Sequence, residues 1–401
     1  MAIEAEENKT AKAAAAIEQL STYDISDQQT HAEIVKKCQA IIAALRDPAA
    51  LVVDALASVT THPSLVVLSN LGIFEKLAAA NEPLTGAHLA EQSGADQELV
   101  VRLLRIAAAS GIVAETGPET YAATGASRIF AIPSFAAGLR LNQRTAELVN
   151  SLPQYLKETG YRNPSSYTSG LFQYHYKTDL GSFEYRASDK AWMHDFNLFM
   201  TVPNTAGGSS WPETFDARSR IFDAGVEINT DAPLVVDVAG GVGQDLLLLK
   251  KHLPADSLAK GQLVLEDQEH VIDGVPADMR DESFTYIKHN FFAAQPIRGA
   301  RVYTLKSVLH DWAEDKAVEI LTHIAAALTP GYSRLWILDR VVPDQGAEKG
   351  LAWLDVSMMA IYGALERTRE QWGELLGKVG LKVVSVQTTP DCFGLIEAEL
   401  A

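Results

Sequence analysis

His310 is the residue best placed to move a proton. It follows the apolar run VYTLKSVL (302–309) and stands where a parallel strand would end. An imidazole with an ordinary pKa of about 6.5 can take a proton from a hydroxyl near neutral pH. Two further strand ends carry binding chemistry. LVVDV (234–238) runs into Ala239-Gly240-Gly241-Val242-Gly243, a turn whose glycines let a ligand approach the backbone closely. VLED (264–267) closes on Glu266 and Asp267, and a carboxylate there can accept both hydroxyls of a ribose. Alternation turns one of the two acids toward the crevice, and Asp267 is the expected one. Asn290, after FTYIKH, is placed either to bond an adenine edge or to cap its own loop, and Phe291 follows it. Lys306, just before His310, adds a cation near the crevice unless its side chain lies on the far side of the strand.

These segments meet only if they belong to one sheet. From Ala232 onward strands and helices alternate, which predicts a parallel α/β sheet. In a doubly wound sheet the carboxyl ends of the strands meet where the strand order reverses, the usual ligand crevice. A nucleoside cofactor and a base would then share one cleft. Ala239 breaks a strict GxGxxG fingerprint and Asp237 stands before the turn. A cofactor with a cationic amino-acid tail and no pyrophosphate tolerates that carboxylate.

The preceding stretch is helical. Residues 1–30 are Ala-rich and charged, and are expected to form a frayed helix or arm. From His31 to Ala57 the spacing of Ile34, Ile41, Ile42, Leu45 and Leu51 predicts a helix with a buried stripe. Further helices are expected over 64–80, from a Thr85 cap, and over 96–110 before Gly111. IVAETGPETYAAT (112–124) reads as a hairpin. Together these describe a winged-helix module over 31–130, a DNA reader or a dimerisation unit. Arg102 and Arg105 are outnumbered by Glu91, Asp96, Glu98, Glu115 and Glu119, which argues against nucleic acid. Residues 131–225 form an aromatic-rich connector, Phe196 among them, that serves as core or as the wall of a pocket for a flat substrate. The last domain is 226–401.

Bulk properties agree. A chain of 401 residues, 47% apolar and 21% charged, supports more than one core. The net charge of −17 disfavours a phosphate-backbone partner. Cys38 and Cys392 have no disulfide or zinc spacing, which suggests reduced thiols and a cytoplasmic protein. No secretory leader, membrane span or metal motif is expected.

DVAGGVG (237–243), VLEDQEHVI (264–272), LHDW (309–312), DRVVP (339–343), LDVSMM (354–359) and LERTREQW (365–372) occur in this order. From about residue 30 onward the chain resembles the class I S-adenosylmethionine-dependent O-methyltransferases. The branch is the caffeate-type and fungal secondary-metabolite one, with an N-terminal winged-helix dimerisation domain. The resemblance implies a Rossmann-like seven-stranded sheet in the order 3-2-1-4-5-7-6, S-adenosyl-L-methionine as cofactor, a homodimer, and a small aromatic or polyketide-type acceptor. It implies neither metal nor nucleic acid nor membrane. Asp237, Gly240, Gly241, Gly243, Asp267, Asn290, Phe291 and Lys306 would hold the cofactor. His310 would be the base, with Asp339 or Glu366 holding its Nδ1 proton. Phe196, Met200, Met358 and Met359 would line the acceptor pocket. Two residues depart from the family pattern: Ala239 replaces a glycine, which requires φ below zero there, and Asn290 replaces an aspartate.

Asp311 and Glu314 have capping-box spacing for a helix beginning at Trp312. A phenol near pKa 10 lies about 4.8 kcal/mol above a free imidazole in proton affinity, while alignment can contribute about 7–11 kcal/mol. The expected reaction is methyl transfer to a phenolic or enolic hydroxyl. Some relatives of this fold act instead as pericyclases or cyclases that keep the sulfonium as a fixed cation, and Lys306 could polarise a carbonyl in such a reaction.

Overall fold

The computed structural model describes residues 34, 35, 37–39, 41, 42, 45–202, 210–222, 225–255 and 258–401. The arm expected over 1–30 lies outside them. The chain divides into two compact units, one up to Gln143 and one from Arg144. Most of the stretch read as a connector falls in the second.

The first unit packs the helices Pro48–Asn70, Ile73–Ala79, Gly86–Ser93 and Gln97–Ala109 against a small antiparallel sheet. Its strands are β1 (Leu84–Thr85), β2 (Val113–Gly117) and β3 (Thr120–Ala123), in the order β1-β3-β2. Thr85 caps one helix by accepting the His88 N–H, and Asp96 caps the next by accepting that of Leu99. Leu68, Phe74, Leu89, Leu104 and Tyr121 fill the core.

Two expectations fail here. The helices read over 31–57 and 64–80 have other bounds: Pro48–Asn70 is one helix running through Pro63, and the break comes at Gly72, where φ is 66°. Pro63 removes one backbone donor, but the Thr60, Thr61 and Ser64 hydroxyls bond back to carbonyls of the preceding turn. The stripe is also not buried. Ile34 and Ile41 are half-buried, while Ile42, Leu45 and Leu51 are exposed, as are Leu56 (70%) and Val59 (75%). Apolar periodicity marks a face that packs, and among the described residues this one stays largely uncovered. By length and composition alone this helix could cross a membrane, a candidate the sequence reading did not anticipate.

The second unit is built on a largely parallel sheet. Its strands are β4 (Val235–Val238), β5 (Leu263–Asp267), β6 (Phe284–Lys288), β7 (Val302–Lys306), β8 (Arg334–Val342), β9 (Arg367–Thr368), β10 (Leu381–Thr388) and β11 (Phe393–Leu400). The order is β10-β11-β8-β7-β4-β5-β6, with β9 beside β8. Without the short β9 and counted from β4, this is the implied 3-2-1-4-5-7-6, with β11 antiparallel to both its neighbours. Every residue of β4 is buried, as a strand covered by helices on both faces requires. Register sets the site. Val238 pairs with Glu266, Asp237 with Thr304, and Lys306 with Leu338, so the ends of β4, β5, β7 and β8 come level. Pairing of β9 with Val341 and Val342 then carries Glu366 to the same edge.

Candidate active site

The glycine turn follows β4 directly. Ala239 has φ 58°, not the negative value expected, and Gly241 and Gly243 also have positive φ. The Gly240 N–H donates to the Glu266 carbonyl at 3.1 Å, which ties the turn to β5. An L-residue holds such a conformation at a cost of about 1–2 kcal/mol. At Gly240 a Cβ would lie 2.4 Å from Asp237 Oδ2 and 2.5 Å from Leu265 Cδ1, so only glycine fits. At Gly241 a Cβ would meet nothing within 4 Å.

Three acids underlie this turn. Asp237 Oδ1 accepts from the Thr304 hydroxyl at 2.6 Å, while its buried Oδ2 has no partner. Burial, opposed by that hydrogen bond, pushes its pKa to about 7. Asp267 accepts from the Gly241 N–H at 2.8 Å and from the Gln268 N–H at 2.7 Å, and burial raises its pKa too. Glu266 is turned inside, bonded to Gln295 Nε2 at 2.9 Å, with its pKa pushed by burial to about 7. Asp267, not Glu266, is therefore the acid on the glycine turn. Asn290 Oδ1 accepts the Phe292 N–H at 3.1 Å and so caps its loop. Phe291 packs on Phe292 and Trp312. Lys306 is engaged by Asp245 at 3.0 Å, and Asp245 also accepts from Trp211 Nε1 at 2.9 Å.

His310 lies on a tight turn, Leu309–Asp311, just after β7. Ser307 makes that turn possible at φ 52°, a feature without a sequence signal. The imidazole Nδ1 stands 2.8 Å from Glu366 Oε1 and 3.7 Å from Asp339 Oδ1, so Glu366 is the carboxylate that holds it. On the other side Nε2 lies 3.8 Å from Asp311 Oδ1. Burial pulls the imidazole pKa down, but Asp339, Asp311 and Glu366 together raise it to about 10. Burial raises Asp311 and Asp339 to about 6, against the pull of the same ring.

The expected capping box is absent. Trp312 is extended and the helix starts only at Glu314, with Ala313 as its cap residue. Asp311 is thereby freed to face the imidazole, and Glu314 pairs with Lys378. The donor atoms of His310, Asp339 and Glu366 lie within 4.8 Å of one another.

Two residues not singled out in the sequence complete the site. Arg367 donates to the Leu309 and Trp312 carbonyls at 2.9 and 3.2 Å, which fastens the Glu366 segment to the His310 turn. Arg186, only 4% exposed, donates to the Tyr362 hydroxyl at 2.8 Å and lies over the rings of Phe183 and Phe196. An arginine in an aromatic-rich stretch was the one available hint. Phe172, Tyr176, Tyr185 and Trp192 pack on one another, with Phe172 and Trp192 buried and the two tyrosines half-buried. Met358 is buried in the main core, Met359 is half-buried beside it, and Met200 is exposed, with its carbonyl held by Gln244 Nε2 at 3.0 Å.

Comparison with known proteins identifies the family. Residues 172–382 match the model of the O-methyltransferase domain, and residues 54–132 that of the O-methyltransferase dimerisation domain. The chain is 33% identical to O-methyltransferase penC of Penicillium thymicola over 94% of its length and 92% of that protein. It is 37% identical to O-methyltransferase asqD of Emericella nidulans, over 82% and 84% respectively. Among solved structures, the LepI complex with SAM superposes with a TM-score of 0.85 at 26% identity, covering 99% of this chain and all of that one. OxaC in complex with SAH and oxaline gives 0.85 at 24%, covering 100% of both chains, a likeness of fold. The unpartnered oxygen of Asp237, Asp267 on the turn, and the open space over Gly241 suit an adenosyl group with a cationic tail. The chain belongs to the S-adenosyl-L-methionine-dependent O-methyltransferases that carry an N-terminal dimerisation domain.

Proposed function

We propose that this enzyme methylates a phenolic or enolic hydroxyl of a secondary metabolite, with His310 as general base and Glu366 as its orienting partner. The observation that carries the reading is the 2.8 Å contact between Nδ1 and Glu366, which reserves Nε2 for the acceptor. S-adenosyl-L-methionine, when bound, supplies an electrophilic methyl group. Asp267 would accept the ribose hydroxyls, and Asp237, through its unpartnered oxygen, the ammonium group. Gly240, Gly241 and Gly243 give the backbone room for that approach. Asn290 and Phe291 would border the adenine. Lys306 acts through Asp245, which it holds at the start of the Gln244–Lys250 helix.

His310 Nε2 removes the acceptor proton while Glu366, with Asp339 behind it, stabilises the imidazolium that results. Phe196, Met200 and Met359 offer a polarisable wall for a flat ring, and Met358 supports it from the core. The uncovered apolar face of the Pro48–Asn70 helix fits a second copy of the chain, in keeping with the dimerisation-domain match and a cytoplasmic homodimer.

The likeness to LepI, and to a structure described as "A Pericyclic Reaction enzyme", keeps one other reading in view. Mass analysis separates them. Incubation with a panel of phenols and enols and the methyl donor should give a product heavier by one methylene, with release of S-adenosylhomocysteine. An isomer of unchanged mass, with the donor unconsumed, would establish the pericyclic reading instead.

A further inference from the structure

The resting charge around His310 does not suit a base. Glu366 and Asp339 stand 2.8 and 3.7 Å from Nδ1, and Asp311 stands 3.8 Å from Nε2. The cations packed about them are Arg367, bound to the Leu309 and Trp312 carbonyls, and Arg186, bound to Tyr362 and acting on Asp311. Asp355, on the neighbouring helix, accepts the Glu366 N–H. Three carboxylates at the ring, with Asp355 behind Glu366, thus outnumber the two guanidinium groups, and that excess of negative charge favours a proton on the imidazole. A ring protonated on both nitrogens, however, cannot accept another proton.

We propose that donor binding loosens the proton on the base: the sulfonium, entering beside His310, lowers the proton affinity of its imidazole, and a fraction of that proton leaves as the donor enters. The proposal rests on the methyl-transfer reading. An in-line transfer sets two near-attack contacts of about 3–3.5 Å end to end, from methyl to acceptor oxygen and from that oxygen to Nε2, and so would put sulfonium and base on the order of 7 Å apart. At that separation, in a partly buried site, one cation lowers the proton affinity of another by roughly one to two pH units.

The balance closes over a full cycle. The free enzyme carries an imidazolium, and the donor complex reacts through the fraction whose imidazole has released that proton and is neutral. During transfer the acceptor O–H bond breaks and its proton goes to Nε2. The new O–CH3 bond forms, and the S–CH3 pair stays on sulfur as a neutral thioether. The product complex therefore holds the imidazolium of the free enzyme, and the departing thioether takes no charge with it. Asp311 has a stated part in this. It is the carboxylate on the Nε2 side, and it raises the affinity for the proton that must leave.

Titration calorimetry of the full chain tests the proposal, in buffers of high and low ionisation enthalpy from about pH 7 to pH 9.5. S-adenosylmethionine should release more protons than S-adenosylhomocysteine, which shares its amino and carboxyl groups but not its charge at sulfur. The difference should peak on the order of 0.7 of a proton, at a pH between the free and donor-bound values. In His310→Ala the difference should vanish while both ligands still bind. In Asp311→Asn the peak should move to lower pH. Equal proton counts for the two ligands in the wild-type chain overturn the proposal, as does a difference that persists in His310→Ala. A chain that shows equal counts yet methylates its acceptor loses only the proton coupling. One that isomerises its substrate loses the transfer reading as well.

Discussion

The glycine-turn edge and the His310 edge each gather three acids, and hold them in opposite ways. Asp237, Glu266 and Asp267 are bonded to neutral donors: a hydroxyl, an amide and backbone N–H groups. Asp311, Asp339 and Glu366 crowd one imidazole, with Arg367 and Arg186 alongside. A carboxylate held by neutral donors keeps most of its demand for a cation or for hydroxyl hydrogens, so the donor edge is shaped to receive a ligand. Carboxylates gathered round an imidazole satisfy that demand internally, so the reacting edge is shaped to hold and pass on a proton. Removing Asp237 or Asp267 should therefore cost affinity, and removing an acid beside His310 should cost turnover.

The sharpest break comes from His310→Ala. Turnover should fall by about 10²–10⁴-fold, the usual contribution of a positioned base, with S-adenosylhomocysteine affinity nearly unchanged. Single-turnover assays beside equilibrium binding would show it. Retained turnover would mean that the acids at this edge do something other than support a base.

Glu366→Gln against Asp339→Asn sharpens the same side. Both replacements keep shape and remove charge, but only Glu366 sits at hydrogen-bond distance from Nδ1. Glu366→Gln should cost roughly 10²-fold in kcat, with Asp339→Asn several-fold milder. The reverse order would hand the orienting role to Asp339.

Across the sheet, Asp267→Asn should weaken donor binding by about 10–100-fold, the loss of a charge-assisted pair, while kcat at saturation stays close to that of the parent. Glu266→Gln offers the control. Its carboxyl is bonded inward to Gln295, so donor affinity should barely move. If both variants bind equally poorly, the donor edge does not discriminate between them as the geometry requires.

How much of this was legible follows the same division. Strand order, the Thr85 cap, the glycine turn and His310 at a strand end all rest on local pattern or family motif, and each lies where it was expected. Asp311 was misread because the spacing to Glu314 matches a capping box, whereas Trp312 is extended and delays the helix. No local rule anticipates that, since it follows from Arg367 gripping two carbonyls of the turn from a segment 55 or more positions away. The Ile42, Leu45 and Leu51 stripe was read as buried, and all three residues are exposed. Periodicity reports that a face must be covered, but not by which chain. Arg186 was invisible because its partners, Ser182, Phe183, Phe196 and Tyr362, come together only in the fold.

The smallest expected effect tests the one backbone expectation that failed. Ala239 has φ 58°, where a Cβ costs about 1–2 kcal/mol. Ala239→Gly removes that strain, but adds about 0.5–1 kcal/mol of conformational freedom to the unfolded chain. The net gain should be on the order of 0.5–1 kcal/mol, visible as a melting transition raised by a degree or two in a chain of this size. Donor affinity should hold steady, because the turn keeps its shape. Gly240→Ala, one residue on, should do the opposite, since its Cβ would lie 2.4 Å from Asp237 Oδ2 and force that acid or the turn to move. It should lower both the melting transition and donor affinity. If Ala239→Gly instead destabilises the chain, the left-handed conformation at Ala239 is not the native one, and the donor edge is held by something other than this turn.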